Sequence, residues 1–309
     1  KGEYLSGGEL ARRLGVSRTA VWKQIKALEE EGYRFEAAPS KGYRITFEPD
    51  RIRLGELKQL INGQVIGSDI RCLSECVSTN TQAMELASQG AAEGTVVIAE
   101  VQTGGKGRMG RTWISSKGNL FFSVILRPPV SPPHAPLMTL VGAVAVATAL
   151  RNIPGIEAGI KWPNDILINA KKACGLLTEM SAETDRIKHL VLGIGINCNM
   201  DLGLLPEEVR MHATSLAAVS GKKIDRTRVL AGVLAELDRW YQVFLRDRQG
   251  ILAAWKDLNV TIGRAITVSG AGETLSGTAA GIDEEGRLLV TLADGSTRTV
   301  AAGDVTIVK

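Results

Sequence analysis

Gly104-Gly105-Lys106-Gly107-Arg108-Met109-Gly110-Arg111-Thr112-Trp113 is a glycine-rich, basic run between two apolar ones. Residues 95–99 precede it, followed by Glu100, Val101 and Gln102, and residues 119–126, aromatic and β-branched, come after. Both flanks read as core strands, so the run is expected to be a flexible loop carrying cations between two strands. Glycines let backbone N–H groups approach an anion, and Lys106, Arg108 and Arg111 supply the field. No Asp or Glu occurs between Glu100 and Glu157, whereas Lys106, Arg108, Arg111, Lys117, Arg127 and Arg151 do. A site without local carboxylates suits a polyanionic substrate.

Two common glycine motifs are excluded. Gly105-x-Gly107-x-x-Gly110 has the spacing of a dinucleotide fingerprint, but no apolar helix follows it and no acid stands about twenty residues on to hold a ribose. No Gly-Lys-Ser/Thr closes the run, so it is not a P-loop.

A chain of 309 residues is long enough for about two or three domains and a sizeable core. Its net charge of +4 is mild, so an anionic partner must be met by local patches. Residues 137–150 are apolar but short and broken by Thr139, Gly142 and Thr148, which predicts a buried helix and no membrane span. Cys72, Cys76, Cys174 and Cys198 form no metal spacing with His134, His189 and His212. With no signal peptide in view, they read as reduced thiols of a cytoplasmic protein. The scattered histidines give no basis for a catalytic triad.

Residues 1–50 read as a winged helix-turn-helix. Ser6-Gly-Gly-Glu9 has the form of a capping box and starts a helix over residues 7–14. Gly15 makes the turn, Ser17 caps a second helix from Arg18 to about Glu31, and Gly32 ends it. Val21, Ile25 and Leu28 form its buried face. Residues 35–46 read as a two-stranded wing with Lys41 at the tip. Arg12, Arg13, Arg18, Lys23 and Lys26 occur with no acid between Leu10 and Leu28. This pattern predicts DNA binding, with Ser17, Arg18, Thr19, Trp22 and Lys23 at the groove and Lys41 on the backbone. A helix ordinarily precedes these two. Upstream residues are therefore expected to be missing from this chain, and its DNA binding to be weak.

Residues 51–258 read as one mixed α/β domain. Residues 51–59 suggest a linker helix, and Ser78-Thr79-Asn80 caps a helix running to Gln89. Its N-terminus offers N–H groups and hydroxyls to a carboxylate. Lys161-Trp162-Pro163-Asn164-Asp165 stands before a hairpin whose turn is residues 169–172. Residues 189–197 form a core strand in which Gly193 and Gly195 point to close packing against the backbone. Residues 226–244 and 251–258 are helices. Residues 259–309 hold short alternating strand candidates at 260–262, 265–268, 273–281, 287–292 and 296–300, which suggest a small SH3-like barrel.

With these stretches in order, the chain resembles the bifunctional bacterial biotin–protein ligases that also repress the biotin operon. The resemblance rests on Ser78-Thr79-Asn80, the run from Gln102 to Trp113, Lys161-Trp-Pro-Asn-Asp165, Lys172-Ala-Cys-Gly-Leu-Leu177 and Gly193-Ile-Gly-Ile-Asn197. It covers nearly the whole chain. It implies an N-terminal winged helix, a central ligase domain of the biotin/lipoate type and a C-terminal SH3-like cap that completes the ATP and acceptor site.

The implied chemistry is attack of biotin's carboxylate on the α-phosphate of ATP, giving biotinyl-AMP, then capture by a lysine of a carboxylase carrier domain. It needs positioning and charge neutralisation rather than an enzymic nucleophile. By similarity, Ser78, Thr79 and Gln102 hydrogen-bond the ureido head, with Asn80, Gly105, Lys106 and Gly107 around it. Lys172 lies near the carboxylate and α-phosphate. Arg108 and Arg111 close over the intermediate, and Trp113 offers a flat face to adenine. Lys161, Asn164, Asp165 and Asn197 face phosphate, ribose or Mg²⁺, the last through Asp165 with ATP. Arg108 and Lys172 are the expected catalytic pair. The resemblance also implies a homodimer, ordered by biotinyl-AMP and paired through sheet edges, on a palindromic operator.

Three positions depart from the family pattern. Lys106 stands where the family usually has Arg, so a bidentate fork becomes a point charge. Val77 stands where an acid is common, and Cys174 replaces a small apolar residue as packing. Two other readings compete with this one. A lipoate or octanoate ligase would carry an Arg-Arg…Gly-Gly-Gly…His-Asp signature, which is missing. A ligand-sensing repressor without enzymic activity would not need Arg108, Lys161 and Lys172.

Overall fold

Two serines start the first two helices. Ser6 Oγ accepts from the Glu9 N–H and Ser17 Oγ from the Ala20 N–H, both at 3.1 Å. Each satisfies a donor that the first turn of a helix leaves unpaired. The helices are α1 (Gly7–Leu14) and α2 (Arg18–Glu30). The computed structural model describes residues 2–30, 32–63, 65–270 and 273–308; Glu31, the expected last residue of the second helix, lies outside them. β1 (Arg34–Ala38) and β2 (Gly42–Phe47) pair antiparallel as the wing. Ala11, Val21 and Ile25 form a small core with Leu10, Phe35 and Tyr43 against it. Leu28, expected on the buried face, is only partly covered. The chain divides into two units, Lys1–Arg51 and Ile52–Lys309.

The second unit opens with α3 (Leu54–Leu60), later than the expected start at Arg51. Ile52 N–H goes to Glu100 Oε1 at 3.0 Å and Arg53 N–H to Thr227 Oγ1 at 3.1 Å, which holds both residues outside the helix. Then come β3 (Ile70–Leu73), which the sequence reading passed over, α4 (Thr79–Ser88), β4 (Val96–Ala99), β5 (Leu120–Leu126) and α5 (Leu137–Arg151). β6 (Ala158–Lys161), β7 (Asp165–Ile168), β8 (Lys171–Ala182) and β9 (Ile187–Ile196) follow. Two short helices, α6 (Glu207–Arg210) and α7 (Leu216–Ser220), lead to α8 (Arg226–Arg246) and α9 (Arg248–Leu258).

The strands form one sheet in the order β3-β4-β5-β9-β8-β7-β6, parallel only between β3 and β4. The expected single hairpin is two. β6 and β7 join through Trp162–Pro163, a cis peptide, and β7 and β8 through Asn169 and Ala170, both at positive φ. Left-handed φ at both central residues is the two-residue hairpin turn that matches strand twist. Lys172, expected in the turn, is thereby a strand residue of β8.

Alternation along the strands sorts side chains to two faces. Leu120, Phe122, Val124 and Leu126 of β5 and Leu190, Leu192, Ile194 and Ile196 of β9 face the main core with α5. The helical segment Pro132–Arg151, which contains α5, is long and apolar enough to cross a membrane by length and composition, but it is mostly buried, with α5 packed against the sheet and against α8 and α9. On the opposite face, Ala83 and Ala87 of α4 cover Val97, Ile125 and Val191. α4 covers only part of that face.

The C-terminal strands are β10 (Ala265–Gly270), β11 (Glu273–Ile282), β12 (Leu288–Thr291), β13 (Thr297–Val300) and β14 (Asp304–Ile307), antiparallel in the order β13-β12-β11-β10-β14. Residues 260–262, expected as a strand, are not one. Asn259 Oδ1 accepts from the Thr261 and Ile262 N–H groups and curls the segment. β14, not foreseen, pairs with β10 instead. Trp162 ties this sheet to the central one, with Nε1 donating to Gly286 O and its backbone N–H to Thr261 Oγ1, both at 3.0 Å.

Candidate active site

The uncovered part of the sheet is floored by glycines. Phe121, Gly195 and Gly175 stand in one cross-strand row, and Ser123, Gly193 and Leu177 in the next. Each glycine is a vacancy that another side chain uses. A Cβ on Gly193 would lie 2.0 Å from Asn80 Oδ1; one on Gly175 or Gly195 would lie 2.7 or 2.8 Å from the Trp113 ring. The loop therefore lays its tryptophan on the sheet backbone, and the N-terminus of α4 sets its asparagine there. Trp113 Nε1 is buried with no acceptor among the described residues.

One end of this depression is lined by neutral polar side chains, with the Glu179 carboxylate behind Asn80. The Thr79 backbone N–H goes to Gln102 Oε1 at 2.8 Å, and Gln102 Nε2 donates to Ser115 Oγ at 2.9 Å. Asn80 Nδ2 donates to Glu179 Oε2 at 2.8 Å and Leu177 O at 3.3 Å, while Ser123 Oγ lies 2.6 Å from Asn80 Oδ1 and 2.8 Å from Thr79 Oγ1. Ser78 does not cap α4 with its hydroxyl, and the Thr79 N–H expected to be open to a carboxylate is taken by Gln102. This end suits a neutral head group with its own donors and acceptors.

The other end is cationic. Lys106, Arg108, Arg111 and Lys172 line it, against Asp165 and Asp304. Lys172 Nζ lies 2.6 Å from Asp165 Oδ1, an ion pair without hydrogen-bond alignment, and 5.2 Å from the centre of the Trp113 ring. Arg111 pairs with Asp304 of β14, and Lys106 lies 3.9 Å from Glu179. Carboxylates are thus present, Asp165 as the sequence reading had it, with Glu179 and Asp304 added. They come from β7, β8 and β14, remote from the loop in the chain.

Arg108 differs from the other cations. Its Nη1 donates to Asn164 Oδ1 and Gly303 O, both at 3.3 Å, and no carboxylate lies within ion-pair distance among the described residues. Burial lowers its pKa from the usual guanidinium value, yet an arginine stays charged. Burial likewise lowers the pKa of Lys161, with Asp165 opposing and Lys172 and Arg111 adding to the shift.

The depression gathers Ser78, Thr79, Asn80, Gln102, Lys106, Gly107, Arg108, Arg111, Trp113, Asn164, Asp165 and Lys172 from the sequence-predicted set. Gly105, Lys161 and Asn197 stand outside its lining. Gly105 is packed beneath the loop, where a Cβ would meet Ser115 Oγ and Trp113 O at 2.5 Å. Lys161 lies 4.0 Å behind Asp165. Asn197 Nδ2 is spent on Thr214 O at 3.0 Å and Lys172 O at 3.4 Å. Sequence reasoning missed Ser115, Ser123, Glu179 and Asp304 as parts of the site. Ser123 was detectable as the one polar residue in the apolar run of β5.

No group of three His, Cys, Asp or Glu that could hold a metal occurs among the described residues. Asp165 is a single carboxylate already facing Lys172, so a protein-held metal does not fit. In the N-terminal unit, Arg18, Thr19, Trp22 and Lys23 are exposed on α2 and Lys41 at the wing tip. Arg18 also reaches back over α1, where a Cβ on Gly8 would meet its Nη2 at 2.7 Å.

Comparison with known proteins agrees with this geometry. The biotin/lipoate A/B protein ligase family matches residues 73–197, an HTH domain family residues 1–44, and the biotin protein ligase C-terminal domain family residues 261–308. The bifunctional ligase/repressor BirA of Bacillus subtilis is 41% identical over 97% of this chain and 93% of its own length. That of Escherichia coli is 31% identical over 99% and 94%. The biotin protein ligase of Aquifex aeolicus, solved with biotin and ATP, superposes with a TM-score of 0.67 at 29% identity, covering 78% of this chain and 99% of that one. Glycine floor, cationic loop and N-terminal HTH unit thus occur together in a chain that belongs to the biotin protein ligase family, in its bifunctional ligase/repressor group.

Proposed function

We propose that the chain ligates biotin to a carboxylase carrier domain and represses transcription in response to biotin. The observation that carries the ligase reading is Arg108, a half-buried guanidinium at the cationic end of the depression whose hydrogen bonds among the described residues go to neutral acceptors and whose nearest stabilising carboxylate, Asp165, is beyond ion-pair distance. It stands ready for an anion that the protein does not supply. The neutral polar end accepts the ureido head, and the acyl carboxylate then points toward Lys172 and Arg108.

The carboxylate oxygen attacks the α-phosphorus of ATP and the bond to the β-phosphate bridging oxygen breaks, releasing pyrophosphate. Lys172 neutralises charge that two anions bring together and that builds in the transition state, and Arg108 holds the phosphate of the intermediate that forms. Asp165 holds the Lys172 ammonium in place. Mg²⁺ arrives with the phosphates of ATP, as part of the substrate. In the second step a neutral lysine amine attacks the acyl carbon of biotinyl-AMP, AMP leaves, and the amide nitrogen loses its proton. Asp304 and Gly303 bring the C-terminal sheet against the loop arginines, so that loop and cap enclose the intermediate together.

The repressor reading rests on the N-terminal unit, whose exposed α2 face carries cations beside a buried apolar face. Operator DNA, a ligand-dependent homodimer and a cytoplasmic setting belong to this proposal; the four free cysteines support a reducing compartment. The test of the ligase reading is ATP–pyrophosphate exchange with biotin, lipoate, octanoate or no acid. Exchange with biotin alone is expected. Exchange with lipoate or octanoate moves the protein to the sister activity, and none with any acid leaves a ligand-sensing repressor.

A further inference from the structure

The neutral end of the depression contains a chain of hydrogen bonds whose direction follows from counting protons. Asn80 anchors it. Its Nδ2 donates to Leu177 O and Glu179 Oε2, and both of these accept only, so its amide cannot be turned over. Its Oδ1 must therefore face Ser123 Oγ at 2.6 Å, and the single Ser123 proton is used there. Ser123 Oγ also lies 2.8 Å from Thr79 Oγ1, and the Thr79 hydroxyl donates elsewhere. Its acceptor, Gln102 Oε1 at 3.2 Å, also lies inside the protein. Thr79 is left with lone pairs toward the ligand.

Gln102 is fixed in the opposite sense. Its Oε1 takes the Thr79 backbone N–H, one Nε2 proton goes to Ser115 Oγ, and the second has no protein acceptor among the described residues. The ligand thus meets an acceptor, Thr79, beside a donor, Gln102, with the Ser78 hydroxyl, not used as a helix cap, also in the lining. That pair complements the N–H and C=O of a cyclic urea.

We propose that Ser123 and Glu179 are positioning residues that hold Asn80 and Thr79 in place, so that the head-group end presents Thr79 as an acceptor beside Gln102 as a donor. Neither touches the ligand. Ser123 is fully buried on β5, and Glu179 reaches the relay from β8 through Asn80. The proposal rests on the biotin-ligase reading, whose own failure would be seen as absence of biotin-dependent exchange by the unaltered protein.

The test is steady-state ATP–pyrophosphate exchange by the full chain carrying Ser123→Ala, Glu179→Leu or both. Ser123→Ala removes the hydroxyl that holds Asn80 Oδ1 and Thr79 Oγ1 and should raise the KM for biotin about tenfold, the scale of one displaced hydrogen bond. kcat and the KM for ATP should stay within about twofold. Desthiobiotin, which keeps the ureido group and lacks the sulfur, should suffer the same factor. Glu179→Leu should raise the KM for biotin about threefold alone and hardly at all in the Ser123→Ala background, because a relay cut downstream no longer responds upstream. Ser123→Cys, close in volume and a weak donor, should fall between wild type and Ser123→Ala, and it carries the test if the alanine variant does not fold. An unchanged biotin KM in Ser123→Ala, an equal rise in the KM for ATP, or independent effects of the two substitutions would overturn the proposal.

Discussion

Replacing Arg108 by alanine should leave adenylate formation largely in place and shorten the time the intermediate stays bound. The guanidinium donates to Asn164 Oδ1 and Gly303 O, and among the described residues no carboxylate is within ion-pair distance, so Asp165 answers its charge only from further off. Against one phosphate charge at about 4 Å, an effective dielectric of about 20 gives roughly 4 kcal/mol. The loop is only half-buried and solvent ions screen it, so about half of that is a fair expectation, roughly 2 kcal/mol. At about 1.4 kcal/mol per decade, this is on the order of thirtyfold faster escape. The assay loads the protein with biotin and α-labelled ATP, adds excess unlabelled biotin and ATP, and follows loss of label from the protein. Pyrophosphate release in the first turnover should change only a fewfold, because Lys172 remains beside the reacting carboxylate. An intermediate held by Arg108→Ala as long as by the wild type would refute the reasoning.

Two further outcomes follow from the site. Lys172→Ala removes the ammonium facing Asp165 and leaves that buried carboxylate oxygen without its close ion-pair partner. Pyrophosphate release should fall by about two to three orders of magnitude, and normal release would remove Lys172 from the first step. Gly193→Ala places a Cβ 2.0 Å from Asn80 Oδ1 and must push Asn80 off Ser123 or off Glu179. A rise of at least about tenfold in the KM for biotin and a stability loss of about 1–3 kcal/mol are expected, checked by exchange kinetics and urea unfolding. Wild-type values in both would mean that the glycine is not needed for this contact.

Much of the architecture was readable because the relevant physics is local. Ser6 and Ser17 cap their helices, the apolar run of β5 is a buried strand, and Gly193 and Gly195 mark close approach to the sheet. The caps and the apolar run depend on neighbours within a few residues; the glycines mark where something packs, though Asn80 and Trp113, which pack there, come from far along the chain. β3 was missed because only its first residue is buried, so it lacks an apolar pattern. Residues 260–262 looked like a strand because alternation carries no information about Asn259, whose side chain competes for their N–H groups.

What the sequence by itself determined is the inventory: a basic glycine-rich loop between two core strands, polar residues opening a helix, a Lys-Trp-Pro-Asn-Asp turn, and a winged helix ahead of them. What only the tertiary structure decided is which of these meet. Strand register puts Ser123, Gly193 and Leu177 in one row, so that Asn80 finds a vacancy to fill. The same pairing brings Glu179 to Asn80, and β14 carries Asp304 to Arg111. The loop looked free of carboxylates because its counter-charges are distant in the chain. A charge acts through space, and the distance through space is set by the fold.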